Sequence, residues 1–347
     1  MRTPMRSTIS FICLLLVSLT GCSADQYSYN DGVKVQTSAN ATPRFAFVTN
    51  GVADFWILAG KGVEDAASDL GIDASFHMPP DGLADQKRII EDLMVKGVNG
   101  IAVSPIDPVN QTPFLDRIAE QTLLITHDSD APDSQRICFV GVDNYEAGRM
   151  CGELVQEALP DGGKVAIFVG RLEQDNARLR RQGVIDQILG REWDSTRYDK
   201  PGEVISGNGF EVVATLTDQF DMAKGKANVE DILSRHDDIA GCIGLFAYNT
   251  PLILEALEQS GRIGKVQVIS FDEDERTLQG IIDGTVHGTV VQNPYEYGAT
   301  SMRLLKALAE GDRSGIPADG ILKVPARVIR KAEVESFRMD IHKKLGK

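Results

Sequence analysis

The chain has 347 residues, with 50 Asp and Glu against 36 Lys and Arg, giving a formal charge of −14. That balance excludes a nucleic-acid partner, whose phosphates must be neutralised by Lys and Arg, and losing Arg2 and Arg6 with an N-terminal leader makes the chain more acidic still. The length suggests two domains.

The leader comes first. Arg2 and Arg6 form a positive start, and residues 11–19 are mostly apolar but too short to cross a bilayer. Leu19-Thr20-Gly21-Cys22 resembles a bacterial lipobox, so residues 1–21 read as a lipoprotein signal peptide and Cys22 as the lipid attachment point. The competing reading is an ordinary secretory signal with a chance cysteine. Residues 22–43 are polar and patternless and read as a flexible tether. Cys138, Cys151 and Cys242, in apolar strands or a helix, read as small buried hydrophobes; one disulfide plus a free thiol is the alternative.

From Arg44 the pattern alternates between short apolar runs and amphipathic stretches. Strands are expected at 45–48, 74–78, 100–104, 122–126 and 137–142, with helices at 54–70, 84–96 and 112–121. The same grammar returns with helices at 145–159, 176–189, 222–235, 251–260, 274–282 and 295–310. Strands are expected between them at 164–169, 210–216, 242–246, 266–270 and 288–291, and a last one at 322–329. This is an α/β chain with parallel sheets covered on both faces. About a dozen strands fit two doubly wound sheets better than one.

Enzyme signatures do not complete. Gly60-Lys61-Gly62 and Gly207-Asn208-Gly209 lack the third glycine of a dinucleotide loop, and Gly163-Lys164, Gly225-Lys226 and Gly264-Lys265 lack the Ser or Thr of a phosphate loop. The five histidines have no metal-ligand spacing, and His127 reads as structural. Asp128-Ser129-Asp130 invites a calcium reading that Ala131-Pro132 breaks. No cofactor or metal is expected.

Four polar residues stand where parallel strands should end: Asp128, Asn249, Asp272 and Gln292. Ligands of open α/β sheets bind beyond the carboxyl ends of the strands. Carboxylates and amides collected there suit a small polyhydroxylated molecule, so the chain reads as a binder rather than an enzyme.

Several further segments stand in order: Asp54-Phe55-Trp56, Thr126-His127-Asp128, Val142-Asp143-Asn144 with Gly148-Arg149, Asn176-Ala177-Arg178-Leu179-Arg180-Arg181-Gln182-Gly183, Ala247-Tyr248-Asn249, Phe271-Asp272 and Val291-Gln292-Asn293-Pro294. Together they resemble the ribose/galactose-type periplasmic solute-binding proteins of ABC importers, whose fold is shared by LacI-type repressor cores. The resemblance covers about 44–330 and departs from ribose binders at Ser129, where many have arginine, and at Ala53-Asp54, near which they carry asparagine. It implies two doubly wound lobes joined by a three-crossing hinge, the type I periplasmic binding protein fold. The lobes are expected at 44–141 with 293–322 and at 142–292 with 323–341. It implies a monomer that binds a monosaccharide or polyol and delivers it to an ABC permease. A sensory subunit serving a chemoreceptor or histidine kinase is the alternative, and an exported sugar-modifying enzyme the remote one.

The expected ligand-binding residues are Phe55, Trp56, Asp128, Asn176, Arg180, Asn249, Asp272 and Gln292. Asp128 and Asp272 would accept from hydroxyls and Arg180 would donate in a fixed fork. Asn176, Asn249 and Gln292 would do both, and the aromatic pair would cover C–H faces. Bland alternatives stand beside these. Asp272 and Asn249 could merely cap helices, Arg180 could pair with surface acids, and Phe55 or Trp56 could be core.

Overall fold

The computed structural model describes residues 42–346, so the leader, Cys22 and nearly all of the tether lie outside the described residues. The chain starts with β1 (Arg44–Val48), α1 (Phe55–Leu70), β2 (Asp73–His77), α2 (Leu83–Val95), β3 (Gly100–Val103), α3 (Pro108–Ala119), β4 (Leu123–His127) and β5 (Phe139–Gly141). It continues with α4 (Asn144–Ala158), β6 (Gly163–Val169), α5 (Asp175–Ile188), β7 (Ile205–Gly207), β8 (Phe210–Thr217), α6 (Met222–Arg235), β9 (Ile239–Gly244) and α7 (Asn249–Gln259). Then come β10 (Gln267–Phe271), α8 (Glu275–Asp283), β11 (Gly288–Val291), α9 (Pro294–Ala309), β12 (Ile321–Lys323), β13 (Arg327–Ile329) and α10 (Val334–Lys344).

The strands form two sheets. The first runs β12-β5-β4-β3-β1-β2 and is parallel throughout; the second runs β13-β11-β10-β9-β6-β8-β7 with its two edge strands antiparallel. Strands β3 and β4 are buried along their length and β9 along all but Ala240, as sheets covered on both faces require. The chain passes from one sheet to the other after β5, after β11 and between β12 and β13.

Three expectations change. The strand expected at 322–329 is two short strands in different sheets, and the break at Val324-Pro325-Ala326 is itself the third crossing. Pro325 has no N–H to give to a ladder. Helix α3 begins at Pro108, four residues earlier than its pattern suggests, because Asp107 accepts from the Asn110 amide and Pro108 takes the first helical position. The short β7 and the polar α10, which buries only Val334 and Phe337, carry too little apolar signal to be read from sequence.

One close approach positions the site. Helices α4 and α5 pack backbone to backbone, and a Cβ at Gly148 would lie 2.2 Å from the Arg180 carbonyl oxygen. A Cβ at Gly183 would lie 2.2 Å from that of Tyr145, so only glycine permits the contact that sets Arg180 in place. The three cysteines of the described region are buried free thiols, as expected, and burial pushes Cys138 up to about 11 and Cys151 and Cys242 up to about 12.

Candidate functional site

Asp128 follows β4 in the first sheet and Asp272 follows β10 in the second. Both have left-handed backbones, φ 58° and 65°, which Asp tolerates better than most residues. Both side chains therefore turn off the strand ends into the space between the sheets. Arg180, on the second turn of α5, lies between them, 3.6 Å from Asp128 Oδ1 and 3.8 Å from Asp272 Oδ2.

These two distances are too long for hydrogen bonds. The Arg180 guanidinium is fully buried and stacks on Phe271 at 4.3 Å and Phe246 at 5.5 Å. Its Nε donates to Asn144 Oδ1 at 2.9 Å and its Nη1 to the Leu245 carbonyl at 3.4 Å, while Nη2 has no hydrogen-bond partner. A buried donor left unused costs free energy until something accepts from it.

The carboxylates are only partly satisfied by protein. Asp128 accepts from Ser104 Oγ at 3.1 Å, Asn176 Nδ2 at 3.1 Å and Asn50 Nδ2 at 3.3 Å, all on Oδ2. Asp272 Oδ1 accepts from Gln292 Nε2 at 2.7 Å, and Gln292 Oε1 is held by the Tyr297 hydroxyl at 2.8 Å. Burial pushes the Asp272 carboxyl up to about 6, with Arg180 and Gln292 pulling the other way. Burial also raises Asp128, against the pull of Arg180. The neighbouring Glu273 is partly exposed as a residue, but its Oε2 is buried without a partner, and burial and Asp272 push it well above the usual carboxylate range.

These groups floor a cavity of about 480 Å³ between the sheets. Phe55 and Trp56, meeting edge to face at 4.8 Å, wall it from the first sheet. Trp56 also packs against Phe47 and His127 in the core, so it is a core residue as well as part of the cavity wall. His127 is wholly buried, stacks on Phe47 at 3.8 Å and is pushed down to about 3 by burial, a structural residue as expected. From the second sheet the wall is Phe220, Phe246 and Tyr248, with ring centroids 5.7–6.2 Å apart.

One buried carboxylate fixes that second wall. Asp218, at the end of β8, accepts from the Tyr248 hydroxyl at 2.6 Å, the Phe220 amide at 2.8 Å and Asn249 Nδ2 at 3.2 Å. Gln219 and Phe220 are both left-handed, φ 61° and 65°, a strain that Asp218 helps to hold.

The fold thus brings Phe55, Trp56, Asp128, Arg180, Asp272 and Gln292 to one cavity, and Asn176 reaches it through Asp128. Asn249 is different. Strand β9 ends at Gly244, so Asn249 opens α7 instead of ending a strand. Its Nδ2 is taken by Asp218 and its Oδ1 by the Phe246 amide, leaving it to brace the wall. Asn50, Ser104, Asp218, Phe220 and Glu273 went unread in the sequence. The asparagine missed beside Ala53 and Asp54 is Asn50, at the end of β1.

Comparison with known proteins decides the family. Residues 45–313 match the model of a periplasmic binding protein domain. The chain belongs to that family. It is 26% identical over 305 residues to the D-allose-binding periplasmic protein of Escherichia coli (strain K12), covering 83% of this chain and 91% of that one. It is 26% identical over 316 residues to the ribose import binding protein of Bacillus subtilis (strain 168), covering 89% and 95%. Among solved structures, an ABC transporter solute-binding protein from Burkholderia graminis, in complex with D-arabinose, superposes with a TM-score of 0.75 at 28% identity, covering 85% of this chain and 97% of that one. The glucose-galactose binding protein of Geobacillus stearothermophilus superposes with a TM-score of 0.75 at 26% identity, covering 84% and 99%. The architecture of this periplasmic binding protein is therefore the type I fold.

Proposed function

We propose that this chain is a lipid-anchored extracytoplasmic sugar receptor that captures a saccharide or polyol between two closing lobes and delivers it to an ABC permease. The lobes are residues 44–141 with 293–323 and 142–292 with 327–344, hinged at the three crossings; the boundary expected at 322/323 moves past Lys323, which pairs with Gly141 in the first sheet. The observation that carries the reading is the floor. Two strand-end carboxylates from opposite sheets bracket a buried guanidinium whose Nη2 donates to nothing. Sugar hydroxyls donate and accept at once, so they can bridge Asp128, Arg180 and Asp272 and complete all three. Phe55 and the Phe220–Phe246–Tyr248 wall would cover the apolar C–H faces. The sugar-binding relatives support the same ligand chemistry.

Ligand that bridges both sheets binds the closed form better and shifts the population towards it. Micromolar affinity, about −8 kcal/mol, is within reach of a few charge-assisted bonds and one stacked ring. Turnover is not part of the proposal: the carboxylates share one guanidinium between them, which suits retention.

Calorimetry against pentoses, hexoses and polyols, after unfolding and refolding to strip carried-over ligand, tests the reading. Saturable one-to-one heats with the sugar recovered unchanged are expected. Silence across the whole saccharide panel, or a hydrolysed product, overturns it. The mass of the N-terminal peptide carrying Cys22 tests the anchor, and capture of a sensor in place of a permease would favour the sensory role.

A further inference from the structure

The cavity is larger than one sugar ring needs. A hexose, about a dozen non-hydrogen atoms, fills roughly 200–250 Å³ at interior packing density, and the cavity holds about 480 Å³. Beyond the floor, part of the lining is a row of residues on the second-sheet side. From the floor outwards, Arg180 stacks on Phe246 at 5.5 Å, Phe246 meets Phe220 at 5.8 Å, and Arg171 lies over Phe220 at 4.9 Å. All four residues belong to loops or helix starts of one sheet, so this row does not depend on how far the two sheets are closed.

Arg171 at the outer end is under-used. Its Nε is buried with no partner, its Nη2 makes one long bond to the Gln219 carbonyl at 3.5 Å, and among the described residues no carboxylate lies within ion-pair distance. Beside it, Met222 is 42% exposed, and across the mouth Val52 is 63% exposed. An arginine fork held over a ring, with apolar neighbours, matches the hydroxylated edge and C–H face of a second sugar ring. Asp54, Glu273 and Asp274 also line the mouth, so an anionic substituent would face carboxyl groups, and a neutral ring fits better.

We propose, on the sugar-binding reading above, that the cleft has an outer subsite built on Arg171 and Phe220, and that its preferred ligand is a neutral disaccharide or glycoside. The inner ring sits on the Asp128–Arg180–Asp272 floor. The second ring lies against Phe220, Met222 and Val52 and accepts from Arg171.

The test titrates the mature chain and its Arg171→Ala and Arg171→Lys variants by calorimetry with monosaccharides, neutral disaccharides containing them, and the matching uronates. A disaccharide is expected to bind at least tenfold tighter than its own inner monosaccharide. Arg171→Ala should erase that advantage and leave the monosaccharide Kd within twofold; Arg171→Lys should keep only part of it. Monosaccharides that bind as tightly as every disaccharide overturn the subsite, as does an Arg171→Ala loss equal for both classes. Uronates binding tighter than neutral disaccharides overturn the ligand class. Failure of all saccharides overturns the parent reading as well, and is told apart by the absence of monosaccharide heat.

Discussion

Two of the clusters that bring carboxylate and guanidinium together in the described residues are built differently. Asp186 on α5 is wholly buried and saturated: it accepts from the Tyr145 hydroxyl at 2.7 Å and Gln182 Nε2 at 3.0 Å, and pairs with Arg197 at 2.7 Å and Arg191 at 3.2 Å. Two turns earlier on the same helix, Arg180 faces Asp128 and Asp272 at 3.6 and 3.8 Å with a donor to spare. The first cluster pins the 190–204 loop against α4 and α5. The second is set by positive-φ turns and glycine-mediated helix contact, and it keeps a donor unpaired. Only the second cluster combines an unmet donor with a cavity, which is why the proposed function rests on it. Buried charge alone does not distinguish them.

The difference can be broken from either side. Asp186→Ala should cost about 2–3 kcal/mol of folding stability, because it leaves the buried Tyr145 hydroxyl and a buried Gln182 N–H without their acceptor, and leave sugar affinity within twofold; denaturant unfolding and calorimetry on the same sample check both. A weaker effect is expected at Asp218. Asp218→Asn keeps the shape and one oxygen for the Tyr248 hydroxyl and the Phe220 amide, which share Oδ1, but sets an NH2 against Asn249 Nδ2 in place of its acceptor, so affinity should fall about tenfold, or about 1.4 kcal/mol, more than the melting temperature would suggest. An unchanged Kd would reduce Asp218 to an ordinary core residue.

The smallest effect is a pH trend. The Asp272 carboxyl is raised to about 6 in the fold from an ordinary 3.8, so its neutral form is favoured there. Its contribution to stability is fully present below about 4 and is lost as pH rises through about 6. Lowering pH from 7 to 5 should therefore stabilise the unliganded protein through this group while weakening sugar binding, which uses the carboxylate. Asp272→Asn should flatten the stability trend, which thermal melts across that range would show.

Much of this was legible in sequence because it is periodic or local. Asp128, Asp272 and Gln292 each follow an apolar run that ends where its strand ends, so their place beyond the strands could be read directly. The apolar run 242–246 misled for a physical reason: Leu245 and Phe246 are buried or half-buried in a turn, not in β9, so Asn249 fell one helix start away from a strand end. Asn50 and Ser104 gain meaning only through Asp128, which lies 78 and 24 residues away. Phe220 enters the wall through two left-handed residues that are not glycine, a conformation for which the sequence carries no local mark. Pro325 did mark a break, but only the sheet order shows that the break is a crossing.

The most direct measurement is a side-by-side calorimetric titration of wild type and Asp272→Ala with the saccharide that wild type binds, both refolded free of ligand. The account predicts saturable one-to-one binding to wild type and a loss of at least a hundredfold in the variant, with thermal stability at pH 7 unchanged or raised, because one buried carboxylate has gone and Arg180 still has Asp128. Matching Kd values in the two proteins would contradict the assignment of the floor as the sugar site.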